Sequence, residues 1–371
     1  MSVPYRHRDT IRITSWPNPG ITLSMNNSPE AFRQILDSER RRNEDVQSRV
    51  VHGLQSADGP VSEEVLGLLL SIFPPTAREI LELHPGFQIH LRLKSVRMAL
   101  EVFRQTVRDL VACLDTYDSA SSDTNFFNRS NREYAEKISL SIDKEVFAAS
   151  SAAKALVEHA RRLNAVVCVS EYESRCKALA SDAQAFILKL RNGLSHAAWI
   201  ESNWSIMHGD KGRTTHFTYS KAALLQRNDW NAAAKRFIQS SKTIDVRTLF
   251  CAYADELNEF YDWWLREVGM QLPAVAQDYS RCLLAVDKAA SRQARKFILS
   301  LAVERNVDPY DHLHKYLTQS ELQEVLALPH GSRQQIDRVI EFVDEFGVCD
   351  EELRSLVYRL FDNSPDPSPP E

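Results

Sequence analysis

Three long runs of apolar residues spaced three and four apart constrain this chain more than anything else in it. Val96, Leu100, Phe103, Val107, Leu110, Val111 and Leu114 mark the first, and Ile142, Val146, Ala149, Ala153, Leu156, Val157, Ala160 and Leu163 the second. Val246, Leu249, Phe250, Tyr253, Leu257, Phe260, Tyr261, Trp264 and Val268 mark the third. That spacing draws one continuous apolar stripe along one side of an α-helix, and each stripe needs another to cover it. A further run, Cys176, Leu179, Ala180, Ala183, Phe186, Ile187, Leu190 and Leu194, reads as a single helix starting near Ser170, with Glu171 and Glu173 in its first turn. Long helices with local connections are most simply covered by one another in an antiparallel bundle. The expected fold class is therefore all-α. Two β-like runs, residues 203–208 and 214–220 around Gly209-Asp210-Lys211-Gly212, add a small β-hairpin.

The flanks read as shorter helices. Residues 1–25 carry Trp16-Pro17-Asn18-Pro19-Gly20 and suggest an extended arm whose Arg6, His7, Arg8 and Arg12 are solvated. Ser28-Pro29-Glu30 opens a charged helix to about Gly53, Ser62-Glu63-Glu64 opens another, and a third runs from Thr76 to just before His84-Pro85-Gly86. Beyond the bundle, helical patterns cover 274–305, 310–316, 320–328, 333–346 and 350–361, with Ser320 as an N-terminal capping signal. The organisation expected is an N-terminal arm and short helices over 1–90, the bundle over 91–272, a C-terminal helical region over 273–361 and a proline-rich disordered tail over 362–371.

Composition removes several classes of function. A formal net charge of −5 over 371 residues argues against a general nucleic-acid coat while leaving room for a local basic site. The six cysteines are scattered with no C-x-x-C, which suggests a reducing, cytoplasmic setting. No run is apolar and long enough for a membrane span, and the first residues lack an apolar signal core. Phosphate-binding, dinucleotide-binding, nucleophile-elbow and H-E-x-x-H zinc signatures are all missing, and with only 11 glycines phosphate-cradling loops are scarce. No cofactor is expected. His208 and His216, on opposite arms of the hairpin, could meet across the strands, but neither they nor His312 and His314 have a further ligand at metal spacing, so no metal site is expected either.

An arginine followed five to seven residues later by a histidine occurs at Arg78 to His84, Arg191 to His196 and Arg305 to His312. Arg78 is followed by Glu79 rather than a small polar donor, and Pro309 interrupts the last pair. Arg191-Asn192-Gly193-Leu194-Ser195-His196 alone lies on an unbroken helical pattern, with Asn192 and His196 on a face nearly opposite the stripe and Arg191 at its flank. This segment resembles the R-N-x-x-x-H motif of the HEPN family of helical ribonucleases and related domains. The order of elements over roughly residues 95–269 is similar too, including the aromatic-rich closing helix with Phe260-Tyr261-Asp262-Trp263-Trp264-Leu265.

The resemblance implies metal-independent RNA cleavage by internal transesterification, giving a 2′,3′-cyclic phosphate. His196 would move the proton, Arg191 would stabilise phosphorane charge, and Asn192 would orient one of them. Lys189, Lys211 and Arg213 are candidates for binding the RNA. The resemblance also implies a homodimer that completes a composite cleft, with an antitoxin or defence-system protein as a further partner. Trp199 beside His196 fits such an interface or ordinary packing against the hairpin. A reading from a different class stays open: a catalytically silent helical module that binds a protein, RNA or small ligand, in which Arg191 and Asn192 only brace the helix end.

Overall fold

A computed structural model describes residues 29–55, 59–195, 202–209, 212–227 and 229–362. The arm expected over 1–25, His196, Trp199, Lys211 and all but the first residue of the expected tail lie outside the described residues. The described chain is 77% helix and 6% strand, which makes it all-α in character with one small antiparallel sheet.

Three helices come first: α1 (Pro29–Gln55), α2 (Glu63–Ser71) and α3 (Pro74–Leu81). The bundle follows with α4 (Phe87–Ala120), α5 (Arg132–Val167), α6 (Tyr172–Leu179) and α7 (Asp182–Ser195). Strands β1 (Ser202–Gly209) and β2 (Gly212–Ser220) lead into α8 (Lys221–Leu225), α9 (Ala232–Ser240), β3 (Thr243–Asp245) and α10 (Val246–Met270). The C-terminal region comprises α11 (Ala274–Glu304), α12 (Gln319–Leu326), α13 (Arg333–Val343) and α14 (Glu351–Asp362).

The stripes do what their spacing predicts. Val96, Leu100, Phe103, Leu110 and Leu114 of α4 meet Ile142, Val146, Ala149, Leu156 and Leu163 of α5, and α10 closes the core with Phe250, Leu257 and Trp264. Each fully buried aliphatic side chain contributes about 1.5–3 kcal/mol. The Trp264 indole, completely buried, donates from Nε1 to Asn164 Oδ1 at 3.3 Å. α4 starts well before the expected residue 95, because Ile89 and Leu93 extend its stripe toward the N-terminus and pack on the same core.

The helix expected from Ser170 through the Arg191 motif is in fact two. Ala180 takes φ −68° and ψ 70°, which ends α6 after Leu179. Ser181 Oγ then accepts a hydrogen bond from the Gln184 amide at 3.1 Å and its carbonyl accepts one from the Ala185 amide, starting α7 afresh. Cys176 and Leu179 still pack on the core, so a stripe assembled from two helices mimicked one. The sheet also exceeds the expected hairpin: β1 pairs with β2 in the register Trp204↔Phe217, and β2 pairs with β3 in the register Tyr219↔Ile244. Trp204 stacks on Tyr117 with ring centroids 3.2 Å apart, and its Nε1 donates to Ser139 Oγ at 3.0 Å, which docks the sheet on α4 and α5.

The flanking helices have cores of their own. Val50, Leu54, Leu69, Ile80 and Leu81 of the first three helices pack on Tyr279, Cys282 and Val286 in the first half of α11. Leu317, Val325, Ile336, Ile340 and Phe361 form a third cluster, which Arg292, Arg295 and Lys296 fasten to the second half of α11 through Asp350, Asp344 and Glu352. The cap of α12 is Thr318 rather than the expected Ser320: its side chain accepts from the Glu321 amide while Glu321 reaches back to the Thr318 amide.

Candidate functional site

α7 is held in rotation by three fully buried residues, Phe186, Ile187 and Leu190. The Phe186 ring stacks on Trp230 at 5.2 Å and contacts Phe237 of α9 at 5.3 Å. With Leu190 pinned inward, the next residue, Arg191, emerges half-buried at the helix flank. It stands about one turn before Ser195, the last described residue of α7.

The Arg191 guanidinium makes no ion pair among the described residues, and in this it differs from the arginines around it. Arg236 grips Asp182 at the start of α7 with two bonds of 2.7 and 3.0 Å. Arg227 does the same to Asp229, and its guanidinium carbon lies 5.0 Å from the centre of the Trp230 ring. The bond from Arg227 is the main cause holding the Asp229 carboxyl below the usual carboxylate range, and the charge of Lys189 adds to it. Lys189, half-buried on α7, is therefore drawn toward the Arg227-Asp229-Trp230 cluster. Sequence reasoning did not single out that cluster. Its signal was there in Arg227 and Asp229, two residues apart and just ahead of Asn231, whose side chain caps α9 by accepting from the Ala234 amide.

Of the other residues singled out, the Asn192 side chain, His196 and Lys211 lie outside the described residues. Arg213 is committed to the fold: one terminal nitrogen donates to the Asp118 carbonyl oxygen at 3.1 Å and the other to Ser121 Oγ, which ties β2 to the end of α4. The His208 side chain lies outside the described residues; in the backbone register His208 pairs with Arg213 and His216 with Ser205, so the two positions are not set opposite each other. His216 Nδ1 lies 3.0 Å from Asp245 Oδ2. Burial pushes the Asp245 carboxyl up, but the Thr248 amide and hydroxyl and His216 outweigh it and hold the group below its usual range. Among the described residues no three His, Cys, Asp or Glu side chains are placed to hold a metal ion.

A second unusual group lies under the sheet. Asp143 of α5 is 5% exposed; the fully buried Tyr219 donates to its Oδ1 at 3.4 Å, and Oδ2 has no partner among the described residues. Burial pushes this carboxyl up to about 6, only partly opposed by the tyrosine. No helix among the described residues is long and apolar enough to cross a membrane. No protein-family model matches the chain, and neither a curated protein nor a solved structure matches it.

Proposed function

We propose that this protein is a HEPN-type endoribonuclease that cleaves RNA without a metal, with Arg191, Asn192 and His196 acting on one phosphate. The observation that carries the reading is the Arg191 guanidinium, half-buried on a helix packed through Phe186, Ile187 and Leu190 and without an ion pair among the described residues, whereas Arg227 and Arg236 are paired, with His196 five residues on. A planar, permanently charged fork left free of carboxylates is suited to bind phosphate oxygens in two places. In the reaction the RNA 2′-oxygen bonds to phosphorus and the bond from phosphorus to the 5′-oxygen breaks. The proton leaves the 2′-hydroxyl, and another is delivered to the departing 5′-oxygen. An imidazole near its ordinary pKa can accept or give a proton at neutral pH, and Arg191 offsets the charge on the phosphorane oxygens.

One histidine serves only one side of that transfer at a time, so the proposal includes a homodimer in which a second copy of the motif completes the cleft. Lys189 and Lys211 would flank the RNA. An antitoxin or defence-system protein is the regulatory partner this reading implies.

The test is cleavage of a pool of single-stranded and structured RNA in EDTA by wild type, His196→Ala and Arg191→Ala. We expect wild type to leave 2′,3′-cyclic phosphate ends and each variant to lose about 10²-fold or more in rate with unchanged helical circular dichroism. Equal cleavage by wild type and both variants would sink the assignment. A folded, dimeric wild type that binds RNA without cutting it would leave the silent module as the reading.

A further inference from the structure

The outer face of the sheet, turned away from the bundle, carries one cluster that RNA cleavage does not use. Alternation along β2 sends Phe217 and Tyr219 into the core and Thr214, His216 and Thr218 outward. On β1 it sends Trp204 inward and Asn203, Ser205 and Met207 outward, and on β3 it buries Ile244 and leaves Asp245 on the outer side. The register sets Ser205 directly opposite His216. Directly opposed side chains on one face have Cβ atoms about 5 Å apart. Asp245, which belongs to the strand on the other side of β2 and pairs with Thr218, reaches back to His216, with Oδ2 3.0 Å from Nδ1.

Serine, histidine and aspartate thus stand in that order across three adjacent strands. Asp245 is fixed: its Oδ1 accepts from the Thr248 amide at 2.7 Å, which holds Oδ2 on the imidazole. A carboxylate on Nδ1 keeps the proton there and leaves Nε2 to accept one. The two ring nitrogens lie on opposite sides of the imidazole, so with Nδ1 turned to β3, Nε2 is turned toward β1 and Ser205. Neither Nε2 nor the exposed Ser205 hydroxyl has a hydrogen-bond partner among the described residues. The His216 side chain is 36% exposed and that of Asp245 22%, so the base is the more open of the two and the carboxylate stands behind it.

We propose that Ser205, His216 and Asp245 form a second active site, which transfers the acyl group of a small ester to water. Ser205 Oγ bonds to the carbonyl carbon while its proton passes to His216 Nε2. The bond from that carbon to the alcohol oxygen then breaks, and Nε2 delivers the proton to the departing alcohol. Water repeats the sequence on the acyl-serine and releases the carboxylic acid with Ser205 restored. Asp245 acts through the histidine as a positioning residue. Asn203, two residues from Ser205 on the same face, brings a side-chain amide about 7 Å away along β1, within reach of the carbonyl oxygen where negative charge builds up. The face is open and set with hydroxyls and amides, apart from Met207, 60% exposed on the other side of Ser205, so the acyl group it suits is short. This site shares no residue with the ribonuclease reading and stands or falls apart from it.

The test uses the full chain with p-nitrophenyl acetate, together with a fluorophosphonate probe whose adduct is located by mass spectrometry. Wild type should turn over the ester and carry the probe on Ser205. Ser205→Ala and His216→Gln should each lower the rate about 10²-fold or more, with helical circular dichroism unchanged. Asp245→Asn keeps a capping oxygen for the Thr248 amide and removes the charge behind His216. It should slow ester turnover and the labelling of Ser205 together, with a melting temperature near that of wild type. A lowered melting temperature with labelling unchanged would overturn the proposal in favour of a role confined to holding the sheet. Wild-type hydrolysis no faster than that of free imidazole at the same concentration would overturn it, as would a probe adduct elsewhere or none. A rate lost in His216→Gln but kept in Ser205→Ala would also overturn it, because an exposed imidazole would then be the whole of the activity.

Discussion

Asp143 is the residue whose environment asks most of it. A carboxyl raised to about 6 in the folded chain binds its proton more tightly than it does unfolded. Its favourable contribution is therefore fully present below the ordinary carboxylate pKa and is lost as pH rises through about 6. At neutral pH the buried charge faces a single long hydrogen bond from Tyr219, at a cost of roughly 2–3 kcal/mol. Asp143→Asn keeps the shape and removes the ionisation. It should raise the melting temperature by a few degrees at pH 7.5 and approach wild type only as pH falls to about 3, below the ordinary carboxylate pKa, as followed by calorimetry across that range. Parallel curves for the two proteins would show that this carboxyl is not what couples the sheet to pH. Nothing in the sequence marks Asp143: it sits beside Ile142 on the edge of a stripe, where an aspartate ordinarily meets water.

At the scale of elements, the break between α6 and α7 sets where the Arg191 helix begins and so which way it faces. Ser181 makes the break productive by capping α7, and Asp182 in the first turn adds negative charge at the positive end of the helix. Ser181→Ala should cost about 1 kcal/mol in urea unfolding, and Ser181→Asp should recover most of it. An alanine variant as stable as wild type would mean that the tertiary contacts of Phe186 and Ile187 alone fix the helix. The boundary was legible: Ser181-Asp182-Ala183-Gln184 is a capping-box sequence, but apolar spacing continues through it, and periodicity alone cannot see a helix end that lies on the stripe. The same blindness hid β3, three residues long and defined only by its pairing with Thr218, Tyr219 and Ser220 of β2. The long stripes of α4, α5 and α10 were legible in nearly every position because burial on one face is what periodicity measures. The commitment of Arg213 to Asp118 and Ser121 could not be read, since it joins residues more than 90 apart in the chain.

Across the whole molecule, α11 is the member shared by both flanks, and its hub is Asp278. His84 Nδ1 accepts from the Gly86 amide at 2.9 Å, which leaves Nε2 to carry the proton and donate to Asp278 at 3.2 Å. The same carboxylate accepts from the Val61 amide at 2.8 Å and from Arg281 at 3.1 Å. Gly86 is needed beside it, because a Cβ there would collide with the Val275 carbonyl oxygen and the Tyr279 side chain. Burial raises the Asp278 carboxyl, but the bonds from Val61, Arg281 and His84 outweigh it and keep the group below its usual range. A lowered folded pKa gives stability that is complete above the unfolded value and disappears as pH falls through the folded one. Acid should therefore loosen α2 and α3 from α11 as pH drops below the ordinary carboxylate range. Asp278→Asn should do the same at neutral pH, with a loss of roughly 2–4 kcal/mol in amide-exchange protection over residues 61–86. Unchanged protection in that variant would shift the anchoring role to the apolar contacts of Tyr279 and Cys282.

The bond from Val61 to Asp278 spans 217 residues of chain. At synthesis rates of about 5–20 residues per second, the N-terminal helices wait roughly 10–40 s on the ribosome before the surface that covers them exists. The first helices made are thus among the last to be covered, and in that interval Leu54, Leu69 and Leu81 are open to whatever binds nascent chains.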